Sequence, residues 1–484
     1  MNLLRNDKTV LIVSLLLVIL AVISGNSHLA LAVSAVLAVL TLFNRESGIL
    51  LLILFISLRP FLIEMNSGLK ITGDLIIFSL LLWTLYNSRK NLKNLFKFEL
   101  FEMALFLYLV VGVISALITG VGIVAIILQI RAYILFYLVY YVVKRMKFSK
   151  DFVLKAVLLT FITAVMMSVH GFVEKISDKT FLMPESWKNW DLSATNHIRV
   201  YGLLKGPNEL ALYLAIAFLI SLYLLKQFEG WKKTVIYIGL SIIGATFLLT
   251  FSRGAFLALF VFAVFYLGIF RQIRNLVPLL ITFAVSGVLF YGINLSADLY
   301  QEHVLYAQDN VDMVDQDRKN KSDQSGMNRY KEAFSETTIA KSSNDGRIYY
   351  VTKAIEVFKD HPIIGSGFGT FGGAATLAYS SPIYDDYDIR FNFYSDNQYI
   401  LTLAETGIIG VLILTIVILS FLFTTSKIYK LQDKPLAITL LFFFTTMMVG
   451  GLVYNILEND TFMLFYFLAL GLAYQKINQT KFNN

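Results

Sequence analysis

The chain of 484 residues contains no cysteine and has only seven prolines and five histidines. Without cysteine it can form no disulfide, no thiolate metal site and no cysteine nucleophile. The histidines show no metal-ligand spacing; they are His28, His170, His197, His303 and His361. A serine-centred nucleophile elbow and a Walker loop are also missing. These absences leave carboxylates and arginines as the main candidates for chemistry.

Charged residues make up only 15% of the chain, whereas hydrophobic residues make up 57%. This composition excludes a soluble globule, because only a bilayer solvates so much apolar surface. Apolar runs recur at about the 20 residues that a helix needs to cross a membrane. They predict an all-α polytopic membrane protein with about 14 transmembrane helices, within a range of about 12–14. The runs lie near residues 10–24, 28–43, 47–63, 71–86, 101–119, 122–143, 152–173, 208–225, 234–250, 254–270, 276–294, 397–425, 436–455 and 461–475.

The net charge of +8 is explained by where the basic residues lie. Lys and Arg concentrate in alternate short loops, as at Arg45 and Arg271, while the opposite turns are nearly free of them and the last carries Glu458 and Asp460. This positive-inside pattern predicts a plasma-membrane protein with both termini in the cytoplasm, and it replaces a nucleic-acid interpretation. The first run is not expected to be a cleavable signal peptide, because a second span follows almost at once.

Two segments on the predicted outer side are too long to be simple turns. They divide the chain into a membrane helix bundle over 1–294 with an outer loop near 174–206, a large extracytoplasmic loop over 295–395, and C-terminal membrane helices over 396–484. The portion Gln308–Ser343 of the large loop is acidic, then mixed, and is predicted to be its most mobile part. Its acidic run lacks the glycine and terminal glutamate of a calcium hand loop.

An amphipathic helix is predicted after that portion. Asn344 and Asp345 are suited to capping, Arg347 lies in the first turn, and the helix should stop at 360–362 because the residue before Pro362 disfavours helical geometry. Apolar residues at three- and four-residue spacing predict the face that lies on or near the membrane surface; they are Ile348, Val351, Ile355 and Phe358.

The glycine-rich run 365–373 follows this helix. Such a run can bring backbone N–H groups close to an anion. It does not follow a strand, so its Gly-x-Gly pattern does not indicate a dinucleotide site. The alternative is a flexible connector with aromatic anchors.

Charged residues within apolar runs are costly, at roughly 2.5–3.5 kcal/mol for Arg or Asp at a helix centre. Arg131 lies near the middle of its run, either as a cation lining a polar cavity or as a snorkelling residue paired with a neighbouring helix. Arg253 follows a tight break between two spans, which is predicted to aim its guanidinium inward; the alternative is an interfacial anchor.

Arg347 and Asp396 lie in the large loop and at its return to the membrane. A guanidinium suits phosphate because it donates two parallel hydrogen bonds, although a loop arginine is often only solvated. Asp396 begins the next span, where it is expected to cap the helix, to act as a general base, or both.

Four motifs occur in a specific order along the predicted outer face. They are Arg199–Gly202 leading into Gly206–Ala211, Leu248–Gly254, Gly346-Arg347 through His361–Gly367, and Asp396–Tyr399 through Glu405–Gly410. Together they resemble the O-antigen ligase and polysaccharide polymerase family of bacterial envelope glycosyltransferases. The resemblance covers roughly residues 195–412, and the first six spans match in hydropathy only.

The resemblance implies a C-type glycosyltransferase that transfers a sugar chain from undecaprenyl diphosphate to an acceptor hydroxyl at the outer membrane face. Arginines would stabilise the developing diphosphate charge, and a base would take the acceptor proton. Phe368 and Phe371 would help to cover a cavity open to lipid. The implied catalytic residues are Asp396, Arg253 and Arg347, and the implied substrate-binding residues are Arg131, Arg199, Asn208 and Asn397.

No cofactor, nucleotide sugar or metal is required by this chemistry. The implied partners are the lipid-linked oligosaccharide donor, the polysaccharide acceptor, membrane lipids, and flippase and chain-length regulator proteins, without nucleic acid.

One position departs from the family pattern. Ligases of the family typically carry histidine where this chain has Asp396. The difference favours a repeat-unit polymerase, in a capsule or teichuronic acid pathway, over a ligase, and leaves His361 as an alternative base. A transporter of lipid-linked sugars and a non-catalytic scaffold remain rival hypotheses.

Overall fold

The computed structural model describes residues 7–90, 92–190, 192–271, 277–305 and 347–483. These residues form helices and connecting turns, with no strand among them. The principal helices are α1 (Asp7–Ser24), α2 (Ser27–Phe43), α3 (Arg45–Met65), α4 (Thr72–Ser88), α5 (Leu100–Thr119), α6 (Ile123–Val143), α7 (Phe152–Ile176), α8 (Pro207–Ser221), α9 (Gly230–Leu249), α10 (Arg253–Phe270), α11 (Val277–Tyr300), α12 (Arg347–Asp360), α13 (Gln398–Lys430), α14 (Lys434–Gly450) and α15 (Asp460–Asn483).

A helix lies at each of the predicted apolar runs, so the predicted all-α polytopic fold is confirmed. Eleven helical segments of the described chain are long and apolar enough to cross a membrane, and α2 and α14 are apolar but shorter. Helices suit this role because they satisfy every backbone donor and acceptor within the segment.

Short polar signals set several helix starts. Asn26 accepts hydrogen bonds from the backbone at the start of α2, and Asn44 does the same for α3. Pro207 occupies the first turn of α8, where a missing N–H costs nothing. These local caps fix where each apolar segment begins.

The described residues divide into two compact units. The first is drawn from Met1–Leu80, Phe148–Phe256 and Leu267–Ser335, and the second from Leu81–Lys147, Leu257–Tyr266 and Glu336–Asn484, counting only their described residues.

Within each unit, helix ends predicted to be cytoplasmic meet. In the first, Lys155 near the start of α7 pairs with Asp7 at the start of α1. In the second, the Gln475 side chain near the end of α15 donates to the carbonyl of Met146, just after α6. The helix directions inside each unit therefore agree with the alternation of basic loops.

The helix predicted from Arg347 onward is confirmed as α12, which ends at Asp360. Its other face packs into the protein. Ala354 and Val357 are buried in a hydrophobic cluster that also contains Phe371, Phe393 and Leu401. The helix is thus held by a face other than the predicted apolar stripe.

The members of that stripe are instead exposed or half-buried, and they are Ile348, Val351, Ile355 and Phe358. Their contact with a membrane surface stays a prediction. The acidic portion Gln308–Ser343 and the predicted capping residues Asn344 and Asp345 lie outside the described residues.

Candidate functional site

Arg199 organises the polar end of the first unit. The side chain is buried, and its Nε donates to the carbonyl of Thr250 at 2.7 Å. Its Nη2 donates to Oδ1 of Asn208 at 2.5 Å, and the Ser252 hydroxyl donates to the same oxygen at 3.1 Å. The predicted substrate-binding residues Arg199 and Asn208 are therefore brought together, next to the break between α9 and α10.

Arg253 lies immediately after this network, as the first residue of α10. Phe251 adopts a left-handed φ of 49°, which turns the chain between the two helices. Ser252, at 2% exposure, is the residue of the break that faces the protein interior, whereas Arg253 is exposed. The predicted tight break is present, and Ser252 rather than Arg253 is the residue buried in it. The inward direction of the Arg253 guanidinium stays a prediction.

A buried ion pair supports the Arg199 segment. Glu174, at 0% exposure, accepts hydrogen bonds from the backbone N–H groups of Tyr201 and Gly202, the latter at 2.6 Å. Lys179 pairs with Glu174 and also donates to the Arg199 carbonyl at 2.7 Å. Sequence reasoning missed this pair, since Glu174 had been placed at the start of the outer loop. The signal was a carboxylate ending an apolar run, five residues before a lysine.

In the second unit, the glycine-rich turn (residues 365–373) docks into a break in α13. The backbone N–H of Gly367 donates to the carbonyl of Glu405 at 2.8 Å. Gly407 has a φ of 58° inside α13 and so frees this stretch of helix for outside partners. A Cβ on Gly367 would lie 2.1 Å from the backbone nitrogen of Ala116, which explains why glycine is needed there.

The glycine-rich turn surrounds the buried side chain of Glu405. Binding of a separate anion by this turn stays a prediction. The Oε1 of Glu405 accepts from the N–H of Gly369 at 2.9 Å and from the N–H of Phe371 at 3.2 Å. Its Oε2 is buried and has no hydrogen-bond partner among the described residues. Phe368 and Phe371 are fully buried. These rings belong to the core, so the expectation that they cover an open cavity is not met.

A second carboxylate lies beside the glycine-rich turn. Gln129 Nε2 donates to Oε1 of Glu458 at 2.5 Å, while Gln129 Oε1 accepts from the backbone of Ala375 at 3.0 Å. The Tyr394 hydroxyl donates to the other Glu458 oxygen at 3.4 Å. Burial raises the pKa of Glu458 from 4.5 to about 7. The sequence had suggested only that Glu458 marks an outer turn.

The structure gives the helix-capping role expected of Asp396 to its neighbour Asn397. Asn397 is the N-cap of α13, and its Oδ1 accepts from Tyr399 and Ile400. Asp396 is not the cap. Its φ of 47° is left-handed, and its side chain is half-buried. The capping prediction is thus corrected by one position, which leaves the Asp396 carboxylate outside the helix.

Asp396 lines a cavity of about 350 Å³, here called the Asp396 cleft, with Tyr349, Tyr350 and residues 390–394. His361, the alternative base, lines a different cavity of about 290 Å³ with Ser115, Thr119 and residues 362–365. The two candidate bases, Asp396 and His361, therefore line separate cavities within the second unit.

The remaining predicted residues are placed by their helices. Arg131 is half-buried in α6, two residues from Gln129. Arg347 is the first residue of α12, and its side chain lies outside the described part of the chain. Among the described side chains, no hydrogen bond joins Arg131 to Asn397. Across the ranges that the structure describes, no group of three or more His, Asp or Glu side chains could hold a metal ion.

A comparison with protein families identifies part of the chain. Residues 238–415 match the family model described as O-antigen ligase. The match confirms the resemblance to the O-antigen ligase and polymerase family of membrane proteins, whose members are glycosyltransferase-like enzymes of envelope polysaccharide synthesis. Arg253, Arg347, Asp396 and Asn397 lie inside the matched stretch. No curated protein matches the chain.

Proposed function

We propose that this protein is an envelope polysaccharide polymerase. It transfers glycan repeat units from undecaprenyl diphosphate to an acceptor sugar hydroxyl, at the outer face of the bacterial cytoplasmic membrane. The observation that carries the proposal is Arg253: an exposed guanidinium at the start of a helix, next to a break held by Arg199, Asn208 and Ser252.

This arrangement suits a diphosphate leaving group. The Arg199 guanidinium donates hydrogen bonds to the Thr250 carbonyl and to Asn208, so its role is to fix the break between α9 and α10. The Arg253 side chain has no hydrogen bond or ion pair among the described residues, so its two parallel donors are available to phosphate oxygens. The positive end of the α10 dipole adds to the attraction for an anion.

In the proposed reaction the bond between the donor's anomeric carbon and the phosphate oxygen breaks. The acceptor hydroxyl oxygen forms the new glycosidic bond, its proton passes to Asp396, and undecaprenyl diphosphate leaves. Arg253 and Arg347 stabilise the negative charge that develops on the leaving group. Arg131 and Asn397 bind or position the substrates, while Arg199 and Asn208 hold the break beside Arg253.

The runner-up function is a ligase that attaches a finished glycan to a different acceptor. Asp396, in place of the histidine typical of ligases, favours the polymerase. A transporter of lipid-linked sugars is less favoured, because the family match is to ligases. Capsule or teichuronic acid synthesis, alongside a flippase and a chain-length regulator, is the proposed setting.

The test uses purified full-length protein in liposomes with a lipid-linked repeat unit. We expect longer glycans to form with the wild type and to disappear with Arg253→Ala. Arg271→Ala removes an exposed arginine at the opposite end of the same helix and should elongate normally. Normal chain lengths with Arg253→Ala would overturn the proposal, and so would translocation of the lipid-linked sugar by the wild type without elongation.

A further inference from the structure

The Asp396 cleft has a lining that mixes aromatic and polar groups. Phe391 contributes a ring that is 61% exposed, and Tyr349, Asn392 and Asp396 border the same space. Its volume of about 350 Å³ falls within the range of about 300–1,000 Å³ that is typical of small-molecule sites. An exposed aromatic ring beside hydrogen-bonding groups is a feature of a ligand site, because one ligand with an apolar face and polar groups can cover both.

The backbone around the cleft is held in an uncommon conformation at regular intervals. Asp388, Asn392 and Asp396 have φ values of 51°, 61° and 47°, so a left-handed residue occurs at every fourth position. Asp and Asn tolerate this region better than other residues with a side chain, yet three in nine residues is unusual. Backbone strain of this kind concentrates at functional sites.

A hydrogen bond fixes the side of the Asp396 cleft that α12 contributes. The Tyr349 hydroxyl donates to the carbonyl of Asp388 at 2.6 Å, which ties α12 to the left-handed segment. The Tyr350 ring packs edge-on against Phe393, at 4.7 Å between ring centroids. Both tyrosines are therefore held before any ligand arrives, and pre-organisation lowers the cost of binding.

The lining distinguishes between classes of ligand. It carries one cation, Arg390, and one carboxylate, Asp396, so it does not present the field of a single sign that would select a diphosphate. A lipid chain is also a poor match, because the exposed Asn392 amide would lose its hydration without a new hydrogen bond. A sugar matches both features, since a pyranose offers an apolar C–H face to an aromatic ring and a rim of hydroxyls to amides and carboxylates.

We propose that the Asp396 cleft binds the acceptor end of the growing glycan, with a sugar ring stacked on Phe391 and its hydroxyls bonded to the Asn392 amide. This inference rests on the proposed polymerase function. It adds a saccharide subsite in the second unit, where Asp396 is adjacent to the bound sugar and can take the proton of its hydroxyl.

The experiment separates sugar binding from diphosphate binding. The probe is the free oligosaccharide released by mild acid from the same lipid-linked repeat unit, and its binding to full-length protein in detergent is measured by saturation-transfer NMR and microscale thermophoresis. We expect the wild type to bind it, and Phe391→Ala to weaken binding by about tenfold or more. Tyr379→Ala, which removes an exposed aromatic residue of the same segment outside the cleft, should bind as the wild type does.

Asn392 provides a test of the side chain apart from the backbone. Asn392→Gly accepts the left-handed φ and removes the amide, whereas Asn392→Asp keeps the shape and the acceptor oxygen. We expect the glycine variant to raise the KM for the acceptor while the aspartate variant retains much of the binding. If Asn392→Gly binds the oligosaccharide as tightly as the wild type, the amide has no contact with sugar and this part of the proposal is wrong.

The two proposals fail in different ways. If the wild type elongates glycans but Phe391→Ala changes neither oligosaccharide binding nor the acceptor KM, the cleft proposal is overturned and the polymerase proposal stands. If the oligosaccharide binds in a Phe391-dependent way but no elongation occurs, the cleft proposal stands and the polymerase proposal fails. Loss of detergent or lipid association in Phe391→Ala, with unchanged oligosaccharide binding, would identify the cleft as a lipid contact and overturn it as a sugar site.

Discussion

The backbone N–H of Gly369 donates to Oε1 of Glu405 at 2.9 Å, joining residues that are 36 positions apart. This bond ties the glycine-rich turn to the break in α13, and α13 in turn begins at the Asn397 cap beside Asp396. The proposed base and sugar cleft are therefore attached to a segment whose shape depends on one buried carboxylate.

Glu405→Ala is expected to destabilise the second unit. The substitution leaves the N–H groups of Gly369 and Phe371 without their acceptor, at a cost of about 1–3 kcal/mol for each buried group. Glu405→Gln keeps the Oε1 acceptor and should lose much less. Thermal unfolding in detergent measures the difference, and hydrogen exchange in the peptide containing 366–373 should rise in the alanine variant alone. Equal stability of the two variants would contradict the structural role of Oε1.

The Glu174–Lys179 pair gives a second prediction. Glu174→Ala leaves the Lys179 ammonium buried without its counter-charge, so we expect a loss of about 3–5 kcal/mol in the free energy of unfolding. The double variant Glu174→Ala/Lys179→Met should lose less than the sum of the single variants, because the two residues interact directly. Denaturant titration in micelles provides the measurement.

The matched control is the exposed Glu185–Lys188 pair, which lies between α7 and α8. An exposed pair contributes about 0–1 kcal/mol, so Glu185→Ala should unfold nearly as the wild type does. If the buried and exposed pairs cost the same when broken, burial is not what makes Glu174 important for holding Arg199.

The positions of the helices could be predicted because their sequence signals are local. Apolar runs of helical length identified the membrane helices, and Pro362 with its neighbours fixed the end of α12. The partners of Glu405 and Glu458 could not be predicted, since each pairing joins segments that are distant in sequence. The face of α12 that is buried was missed for the same reason.

The site residues were predictable only in part. Arg199 and Asn208 were singled out by their motif, and the structure brings them together. Asn397 rather than Asp396 caps the helix, and Asp396 has a left-handed φ. Both residue types are suited to capping, so the sequence alone does not show which of the two adjacent residues is the cap. The proximity of Asp396 to an aromatic cleft also required the folded segment 388–396.

Glu458 predicts a pH dependence of stability. Its folded-state pKa is raised to about 7 from 4.5, so between these values the folded protein keeps a proton that the unfolded chain releases. The contribution of Glu458 to the free energy of unfolding should therefore fall as pH rises from 4.5 to about 7, by on the order of 3 kcal/mol. Glu458→Gln should flatten this slope, whereas Glu229→Gln, at an exposed position, should retain it. A slope unchanged in Glu458→Gln would assign the titration to another group.

Asp396 carries the last prediction, because its conformation and its chemistry can be separated. Asn and His both tolerate the left-handed φ of 47°, so neither substitution should distort the turn before α13. Asp396→Asn removes the base and should reduce elongation by about 10²–10⁴-fold while the thermal midpoint stays near that of the wild type. Asp396→His supplies a different base, so the acid limb of the pH–rate profile should differ between this variant and the wild type. Asp396→Gly, which relaxes the backbone and has no base, should be as inactive as Asp396→Asn. If the asparagine and glycine variants elongate normally, the proton acceptor is elsewhere, and His361→Ala in its separate cavity becomes the decisive variant.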